Sequence, residues 1–476
     1  MPWWAVRNGS GGTPGKRILC ARSSESGARP PGLTPPGPAR SVTTPAPRRR
    51  NPVTTAEPVE TVDLRAEHLV NDPFTAFAGI RERSPLARGT IPGVEPFWIA
   101  TRYQDVRTVL GDPRFVNDVA SVPGGAPVHR TEQVWRARGM PAECAAYLRA
   151  GVFDADGARH RRMRGHVHPS FTAGAVARLR PRIERLAGEH ARALRDHADR
   201  SGVVDLIAHF AYPLPVTVIC ELLGIPEADR PQWRAWSSYL GRGAGPGLDE
   251  ALRGMLVGAH GLVDRRRTEP GDDLVSQLAA AEGDTLDRVE IVSLILNLIV
   301  AGHETTATLI GNGTAALLTH PDQLAMVRAD PGLLPAAVDE LMRWCGPTLG
   351  ALPRYATEDV TLGDTLIRRG EAVMPILAAA NYDPRVFAEP ERLDLCRAAA
   401  APHPDAHLGF GHGAHRCLGA ALAHEEAVIA FGTLLRAYPQ LSLAVGPEAV
   451  ERGPNPAAWH LAALPVRLGT PAGHLD

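Results

Sequence analysis

A glycine-punctuated loop around a single cysteine constrains this chain more than any other feature. Residues 410–419 read FGHGAHRCLG and run directly into a predicted Ala-rich helix, Leu418–Ala430. The three glycines of the loop permit backbone conformations and close approaches that side chains would block. The start of a helix, together with the cationic side chains of His415 and Arg416, favours a thiolate over a thiol. The pattern therefore predicts an anionic Cys417.

The alternative is an inert buried thiol, which is the common role of a single cysteine at a loop-to-helix junction. The full spacing, Phe-Gly-x-Gly-x-x-x-Cys-x-Gly, is far more specific, and it resembles the haem-thiolate loop of the cytochrome P450 family. The resemblance implies a mainly α fold with small β-sheets, built as a single domain around one haem b. It also implies that Cys417 is the axial iron ligand. Four further residues of the loop would contact the haem: Phe410, Gly411, His415 and Gly419.

A proline-free stretch from Leu286 to about Thr319 predicts one unusually long helix, which would span roughly 50 Å at about 1.5 Å per residue. Buried carboxylates and hydroxyls in the middle of a helix are costly without partners, and a glycine there costs about 1 kcal/mol relative to alanine. The middle of this stretch contains all three, in the sequence AGHETT at residues 301–306. Such a run predicts a functional site rather than an exposed helix face.

The AGHETT sequence resembles the element with which cytochromes P450 handle oxygen. The resemblance implies that Ala301 contacts the haem and that Gly302 makes room for dioxygen. It also implies that Thr305 orients the activated oxygen and that Glu304 belongs to the route that delivers protons. His303 occupies a variable position of the motif, so we expect it to be structural or close to the substrate rather than an iron ligand.

Cationic residues elsewhere resemble the contacts that the family makes to the haem propionates. His160 and Arg164 have the i, i+4 spacing that places both side chains on one face of a helix. Arg354, His407 and His415 match the remaining contacts that the resemblance implies.

A buried Glu-Arg-Arg cluster holds the cysteine loop in this family, and the chain offers candidates for all three members. Glu340 and Arg343 lie at i, i+3 on a predicted helix, a spacing that contributes only about 0.2–0.5 kcal/mol when the pair is exposed. Arg392, which follows Pro390 and Glu391, matches the third member. Two guanidinium groups on one carboxylate, shielded from water, would form a directional clamp.

Composition limits the kinds of partner. The 51 Lys and Arg residues nearly balance the 52 Asp and Glu residues, so no global charge favours nucleic acid or an anionic membrane. The six cysteines lie at irregular intervals without a Cys-x-x-Cys pair, which fits a reducing cytoplasm better than a disulfide framework or a zinc ribbon. The longest apolar run, Ile291–Gly302, is too short to span a bilayer, so we expect no membrane anchor.

The chain divides into two parts of different composition. Residues 1–58 are rich in Pro, Gly, Ser and Arg and are expected to be a disordered leader, and residues 59–476 are expected to be the haem-thiolate domain. Near the start of that domain, Phe97–Ala100 predicts a strand that leads into a helix ending near Asp112. Further on, Glu358–Leu362 and Ala372–Pro375, which flank Gly363 and Gly370, predict a small hairpin sheet.

The resemblance implies a monooxygenase that inserts one oxygen atom from O2 into a C–H or C=C bond of a lipophilic small molecule. Four segments match the pocket-lining parts of the family: residues 118–151, 236–249, 297–305 and 348–352. The last is small and apolar and would suit a bulky lipophilic substrate, such as a polyketide-like or other secondary metabolite. A fatty-acid or terpene hydroxylase and a peroxide-using haem-thiolate enzyme or isomerase stay open as alternatives. A non-catalytic helper and a zinc hydrolase built on His166 and His168 are disfavoured by the intact cysteine loop and the absence of a metal-ligand set.

The expected electron donors are a ferredoxin and its reductase, and the expected oligomeric state is a monomer. Arg159, Arg162 and His166 would project away from the His160 and Arg164 pair and, with Arg416, could form a basic patch on the cysteine side of the haem. Such a patch could dock an acidic ferredoxin or simply be a solvated helix face.

Overall fold

The computed structural model describes residues 59–124, 128–241, 247–397, 407–453 and 458–470. The predicted class, mainly α with small β-sheets, is confirmed. The helices are α1 Glu67–Asn71, α2 Pro73–Arg83, α3 Tyr103–Gly111, α4 Arg130–Ala137, α5 Ala142–Arg149, α6 Gly157–Val167, α7 Ala173–His197, α8 Pro213–Leu222, α9 Arg230–Gly241, α10 Leu248–Thr268, α11 Leu274–Ala280, α12 Arg288–Gly302, α13 Glu304–Thr319, α14 Pro321–Ala329, α15 Leu334–Cys345, α16 Leu377–Asn381 and α17 Ala420–Ala437.

Three small sheets accompany the helices. The strands are β1 Thr61–Asp63, β2 Leu86–Ile91, β3 Val94–Ala100, β4 Phe115–Val116, β5 Val203–Asp205, β6 Arg354–Ala356, β7 Val360–Leu362, β8 Thr365–Ile367, β9 Ala372–Pro375, β10 Ser442–Leu443 and β11 Pro465–Arg467. The largest sheet has the order β1-β2-β3-β9-β6-β4, and the others are β10-β11-β5 and β7-β8. The predicted strand at residues 97–100 and the helix that follows it are present as β3 and α3.

The predicted hairpin pairs differently from our expectation. β7 turns at Gly363, which has φ 57°, and pairs antiparallel with β8 rather than with β9. β9 instead lies between β3 and β6 in the six-stranded sheet. The physical reason is burial, because Ala372 and Val373 are fully enclosed and need apolar neighbours on both sides of the strand.

The long helix expected from Leu286 to Thr319 is interrupted at His303, between α12 and α13. Burial lowers the pKa of His303 to about 4, so the ring is neutral. Its Nδ1 lies 2.6 Å from the carbonyl oxygen of Ile299, and the Thr305 hydroxyl donates to the carbonyl oxygen of Ala301 at 2.8 Å. These side chains satisfy carbonyl groups where the helical ladder is broken, and a glycine next to the break weakens the helix further.

α12 and α13 are the central helices of the protein. Among the described residues, Arg288–Thr319 is the stretch long and apolar enough to cross a membrane, and 67% of its apolar window is buried inside the protein. α13 packs against α15 and α17, and α12 packs against α5, α8 and α10. The pair therefore behaves as the core of the helical part. The predicted leader, residues 1–58, lies outside the described residues.

Candidate functional site

One cavity of about 590 Å³ brings together most of the predicted site residues. This volume is typical of pockets that hold small molecules and cofactors. The four segments predicted to line a pocket all contribute to its wall, through residues such as Arg138, Leu248, Asn297 and Thr348. The predicted site residues in the wall are His160, Arg164, Ala301, Gly302, Glu304, Thr305, Arg354, Phe410, Gly411, His415, Cys417 and Gly419.

Backbone hydrogen bonds fold the cysteine loop. The N–H of Cys417 donates to the carbonyl oxygen of Phe410 at 2.8 Å, and the N–H of Arg416 donates to that of Gly413 at 3.0 Å. Gly413 has φ 73°, and a Cβ there would lie 2.6 Å from the carbonyl oxygen of Leu110, so the position requires glycine. Gly419 differs, because nothing lies within 4 Å of where its Cβ would stand. Its open side faces the cavity, which leaves room for a flat ligand.

The Cys417 side chain is exposed to this cavity. Burial of the site raises the pKa of the Cys417 thiol, although the Gly419 N–H and the charges of Arg164 and Arg416 oppose this. The predicted anionic cysteine therefore does not follow from the protein groups alone, because α17 begins only at Ala420 and desolvation outweighs the favourable charges. A metal ion bound to the sulfur would supply the missing charge, since a coordinating thiol is deprotonated.

Basic side chains, two histidines and two arginines, are gathered on one part of the wall. Burial, with the charges of His415 and Arg164, lowers the pKa of His160 to about 4, and burial lowers the pKa of Arg354 to about 10. The His160 and His415 rings lie in contact with centroids 4.1 Å apart and planes tilted by 36°, and His415 lies 3.7 Å from a carboxylate oxygen of Asp156. Arg164 donates to the carbonyl oxygen of Arg416 at 2.8 Å, which ties α6 to the cysteine loop.

The side chains of this basic group, His160, Arg164, Arg354 and His415, fit the propionates of a haem. His160 Nε2 and Arg354 Nε are buried without a hydrogen-bond partner among the described residues, and both residues line the cavity. Buried polar groups are normally paired, so the two nitrogen atoms call for an acceptor that the protein does not supply. A ligand with carboxylates at this edge and a metal at Cys417 matches both requirements.

Next to the break in the helix, the cavity wall carries an acid, Glu304, and a hydroxyl, Thr305. Burial raises the pKa of the Glu304 carboxyl, and the charge of Arg138 opposes the shift. The Thr305 side chain is exposed to the cavity and keeps its lone pairs free to accept while donating to Ala301. A Cβ on Gly302 would approach Ile219 of α8 to 3.2 Å, so close helix packing also favours glycine there.

The carboxylate cluster is present, but its third member is Arg397 rather than Arg392. Arg343 makes two hydrogen bonds of 2.8 Å to the buried Glu340, and Arg397 Nε donates to Glu340 Oε1 at 3.1 Å. The Arg392 side chain is exposed and pairs with Glu389 and Asp394 instead. The Arg392 carbonyl oxygen does take part, since it accepts from Arg343 and Arg397. The prediction identified the correct segment but the wrong side chain.

Asn381, at the end of α16, connects this cluster to the cysteine loop. Its carbonyl oxygen accepts from Arg343 at 2.9 Å, and its Oδ1 accepts from the N–H of Leu408 at 2.7 Å. The same arrangement corrects the prediction for His407. His407 Nδ1 accepts from the N–H of Gly409 at 3.1 Å, and its Nε2 lies 3.7 Å from Asp339 of α15. His407 is not part of the described cavity wall.

The basic patch expected on α6 is partly neutralised. Arg162 makes two hydrogen bonds, of 2.8 and 2.6 Å, to the Glu290 carboxylate of α12, and Arg159 lies 3.7 Å from the same group. Both arginines therefore fasten α6 to α12. Arg161 and Arg416 are exposed.

The polar residues of the cavity wall to which the sequence analysis gave no individual role include Arg138, Asn297 and Glu426. Asn297 and Glu426 are buried, and both have side-chain atoms without a hydrogen-bond partner among the described residues. The signal that could have identified them is a polar side chain on an otherwise apolar helix, Asn297 in α12 and Glu426 in α17.

Comparisons with known proteins agree with this geometry. The family model described as Cytochrome P450 matches residues 262–443. The Cytochrome P450 monooxygenase PikC of Streptomyces venezuelae is 38% identical over 427 residues, covering 88% of this chain and 97% of that protein. The Mycinamicin IV hydroxylase/epoxidase of Micromonospora griseorubida is 39% identical and covers 78% of this chain and 89% of its own length. The structure of the tirandamycin C-bound P450 monooxygenase TamI superposes with a TM-score of 0.76 at 36% identity, over 86% of this chain and all of that one.

Proposed function

The chain belongs to the cytochrome P450 family, and we propose that it hydroxylates or epoxidises a lipophilic secondary metabolite of the polyketide kind. It is an oxygen-incorporating oxidoreductase with haem b as cofactor, as the sequence predicted. The proposal for the substrate class is supported by the relatives, which include a hydroxylase/epoxidase of mycinamicin IV and a monooxygenase with bound tirandamycin C. A fatty-acid or terpene hydroxylase is the alternative within the same chemistry.

The observation that carries the proposal is that one cavity contains both Cys417 and the buried, unpaired nitrogen atoms of His160 and Arg354. Cys417 would bind the haem iron, and His160, Arg164, Arg354 and His415 would hold the propionates. The remaining predicted contacts, at Ala301, Phe410, Gly411 and Gly419, would lie along the haem faces. When bound, the haem would supply the activation of O2.

The chain's own residues would position the substrate and move protons. Because burial raises the pKa of Glu304, its carboxyl keeps a proton to higher pH than an exposed glutamate does, which suits a residue that passes protons. The Thr305 hydroxyl donates its hydrogen to the Ala301 carbonyl oxygen at 2.8 Å, so its oxygen is left to accept a hydrogen bond from a donor in the cavity. The apolar wall would exclude bulk water and orient the substrate.

The enzyme uses a redox partner, O2 and a lipophilic substrate. We infer that the partner is a ferredoxin with its reductase, and that residues 59–476 act as one monomeric catalytic domain in the cytoplasm. The balanced net charge and the exposed cations near Cys417 support a local docking surface rather than a general attraction.

The decisive test is the carbon monoxide difference spectrum of the purified, reduced protein, recorded beside that of Cys417→Ser. We expect a strongly red-shifted Soret band in the wild type that is lost in the variant, because only a thiolate ligand produces the shift. Ala414→Ser, an exposed substitution in the same loop, serves as the control and should keep the band. A wild-type protein that binds haem without the shifted band would contradict thiolate ligation.

A further inference from the structure

The end of α4 presents three side chains to the cavity through a defined helix cap. The N–H of Gly139 donates to the carbonyl oxygen of Arg136, and the N–H of Met140 donates to that of Trp135, both at 3.0 Å. Gly139 has φ 83°, so these bonds form a Schellman motif with glycine in the left-handed position. The motif directs Trp135, Arg138 and Met140 into the cavity wall.

Arg138 is the unusual member of this group. Its guanidinium is half-buried, and it makes no hydrogen bond or ion pair within the part of the chain that the structure describes. Burial lowers the pKa of Arg138, the charge of Arg65 adds to the shift, and Glu304 opposes it. An arginine stays protonated under these conditions, so the cavity contains an unpaired cation.

Arg138 does not belong to the cations that would hold the haem. Arg354 and His160 interact electrostatically with Asp156, and His160 also with His415 and Arg164, whereas Arg138 interacts with Glu304 on the broken helix. The same cavity wall includes the apolar side chains of Trp135 and Met140, which lie close to Arg138 in sequence, and those of Leu148 and Leu248. The cation therefore lies in the part of the cavity left for the substrate.

Asn297 is a second polar group without a partner in this cavity. It is buried in α12, and neither its Oδ1 nor its Nδ2 has a hydrogen bond within the described ranges. Asn297, before the break at His303, and Glu304, after it, both line this cavity. A Cβ on Gly151 would come within 2.1 Å of Asn297 Oδ1, so the amide is packed closely against the chain on one side.

We infer that Arg138 binds a carboxylate of the substrate, so that the preferred substrate is a lipophilic carboxylic acid. A guanidinium forms two parallel hydrogen bonds with a carboxylate, and these bonds are strong where water is excluded. The apolar wall accepts the rest of the molecule, and Asn297 offers a donor and an acceptor to an oxygen along its skeleton. This inference rests on the proposed monooxygenase function and specifies its substrate class.

The test is a set of spin-state titrations of the haem-loaded full chain with two acids, myristic acid and abietic acid, each beside its methyl ester. A methyl ester cannot form the charge-assisted hydrogen bonds with Arg138 that a carboxylate forms. At least one acid should therefore bind at least about tenfold more tightly than its ester. Arg138→Gln should remove that preference while leaving ester binding unchanged. Arg138→Lys should restore part of it, because lysine keeps the charge and loses the fork.

Arg136→Gln is the matched control, since Arg136 lies on the same helix turn but is exposed and pairs with Glu132 at 2.5 Å. It should keep the preference for the acid. The inference is overturned if neither acid binds more tightly than its ester, and a lack of response to all four compounds counts as this outcome. It is also overturned if Arg138→Gln keeps the preference for the acid. The carbon monoxide spectrum recorded first separates the two proposals: a missing shifted band refutes the proposed function, and an intact band without acid preference refutes this inference alone.

Discussion

Glu426 shows how a single buried residue can make the stability of the protein depend on pH. It lies in α17, faces the cavity, and its Oε2 has no hydrogen-bond partner among the described residues. Burial raises the pKa of Glu426 to about 8, from an ordinary value of 4.5. Between these two values the folded state holds a proton that the unfolded state has lost, so the free energy of unfolding falls as the pH rises through this window.

Glu426→Gln should therefore remove a pH-dependent cost. At pH 5 the carboxyl is neutral in the folded protein, and we expect the variant and the wild type to have similar melting temperatures. At pH 8 the carboxyl is ionised in the unfolded wild type and only about half ionised in the folded one, so the two pKa values predict that the variant is more stable by about 4 kcal/mol. Thermal unfolding of the haem-loaded proteins at both values measures this. A difference that is the same at pH 5 and pH 8 would show that Glu426 does not titrate as described.

The contacts that hold elements together often join residues that are far apart in sequence. The carboxylate cluster around Glu340 is the clearest example. Glu340 and Arg343 are three residues apart on α15, and the sequence predicted their pairing correctly. Arg397 lies 57 residues from Glu340 along the chain, and no periodicity connects the two. Arg392 was predicted because it follows a familiar Pro-Glu pair, but the chain turns after it and brings Arg397 back to the carboxylate.

The cluster gives a prediction with a built-in control. Arg397→Ala removes a hydrogen bond to the buried Glu340 and bonds to three backbone carbonyl groups, and should lower the free energy of unfolding by about 2–3 kcal/mol and weaken haem retention. Arg392→Ala should change both little, because its side chain forms exposed ion pairs only. Thermal unfolding and the haem content after gel filtration measure the two effects. If Arg392→Ala lost as much stability and haem as Arg397→Ala, the Arg392 side chain would belong to the cluster.

The cysteine loop, His160 with Arg164, and Arg354 could be predicted because each depends on residues close in sequence. The break at His303 could not, since it depends on side chains of His303 and Thr305 competing with the helix backbone. The place of β9 depends on two strands far away in the chain. His407 failed for a similar reason, because Asn381 sets the direction of the segment. Arg138 shows the same limit, since only the folded cavity reveals that a cation there lacks a partner.

At the scale of the whole molecule, charge is balanced, so long-range attraction of a redox partner must come from local asymmetry. Such an asymmetry is expected at α6, because this helix contacts the cysteine loop where Arg164 donates to the Arg416 carbonyl oxygen. Arg162 is committed to Glu290, whereas Arg161 and Arg416 are exposed at this side. We therefore expect an acidic ferredoxin to approach over Arg161 and Arg416.

Arg161→Glu tests this surface without touching the cavity. Reversing an exposed charge at the docking face should slow reduction by an acidic ferredoxin about tenfold at low ionic strength, and the difference should disappear in high salt as the charges are screened. Arg436→Glu on α17 changes the net charge equally at another exposed position and should leave the rate unchanged. Stopped-flow reduction under carbon monoxide, repeated across a salt series, gives both rates. If the two variants slow reduction equally, net charge rather than the α6 surface governs the encounter, because only a local docking site distinguishes two charge reversals of the same size.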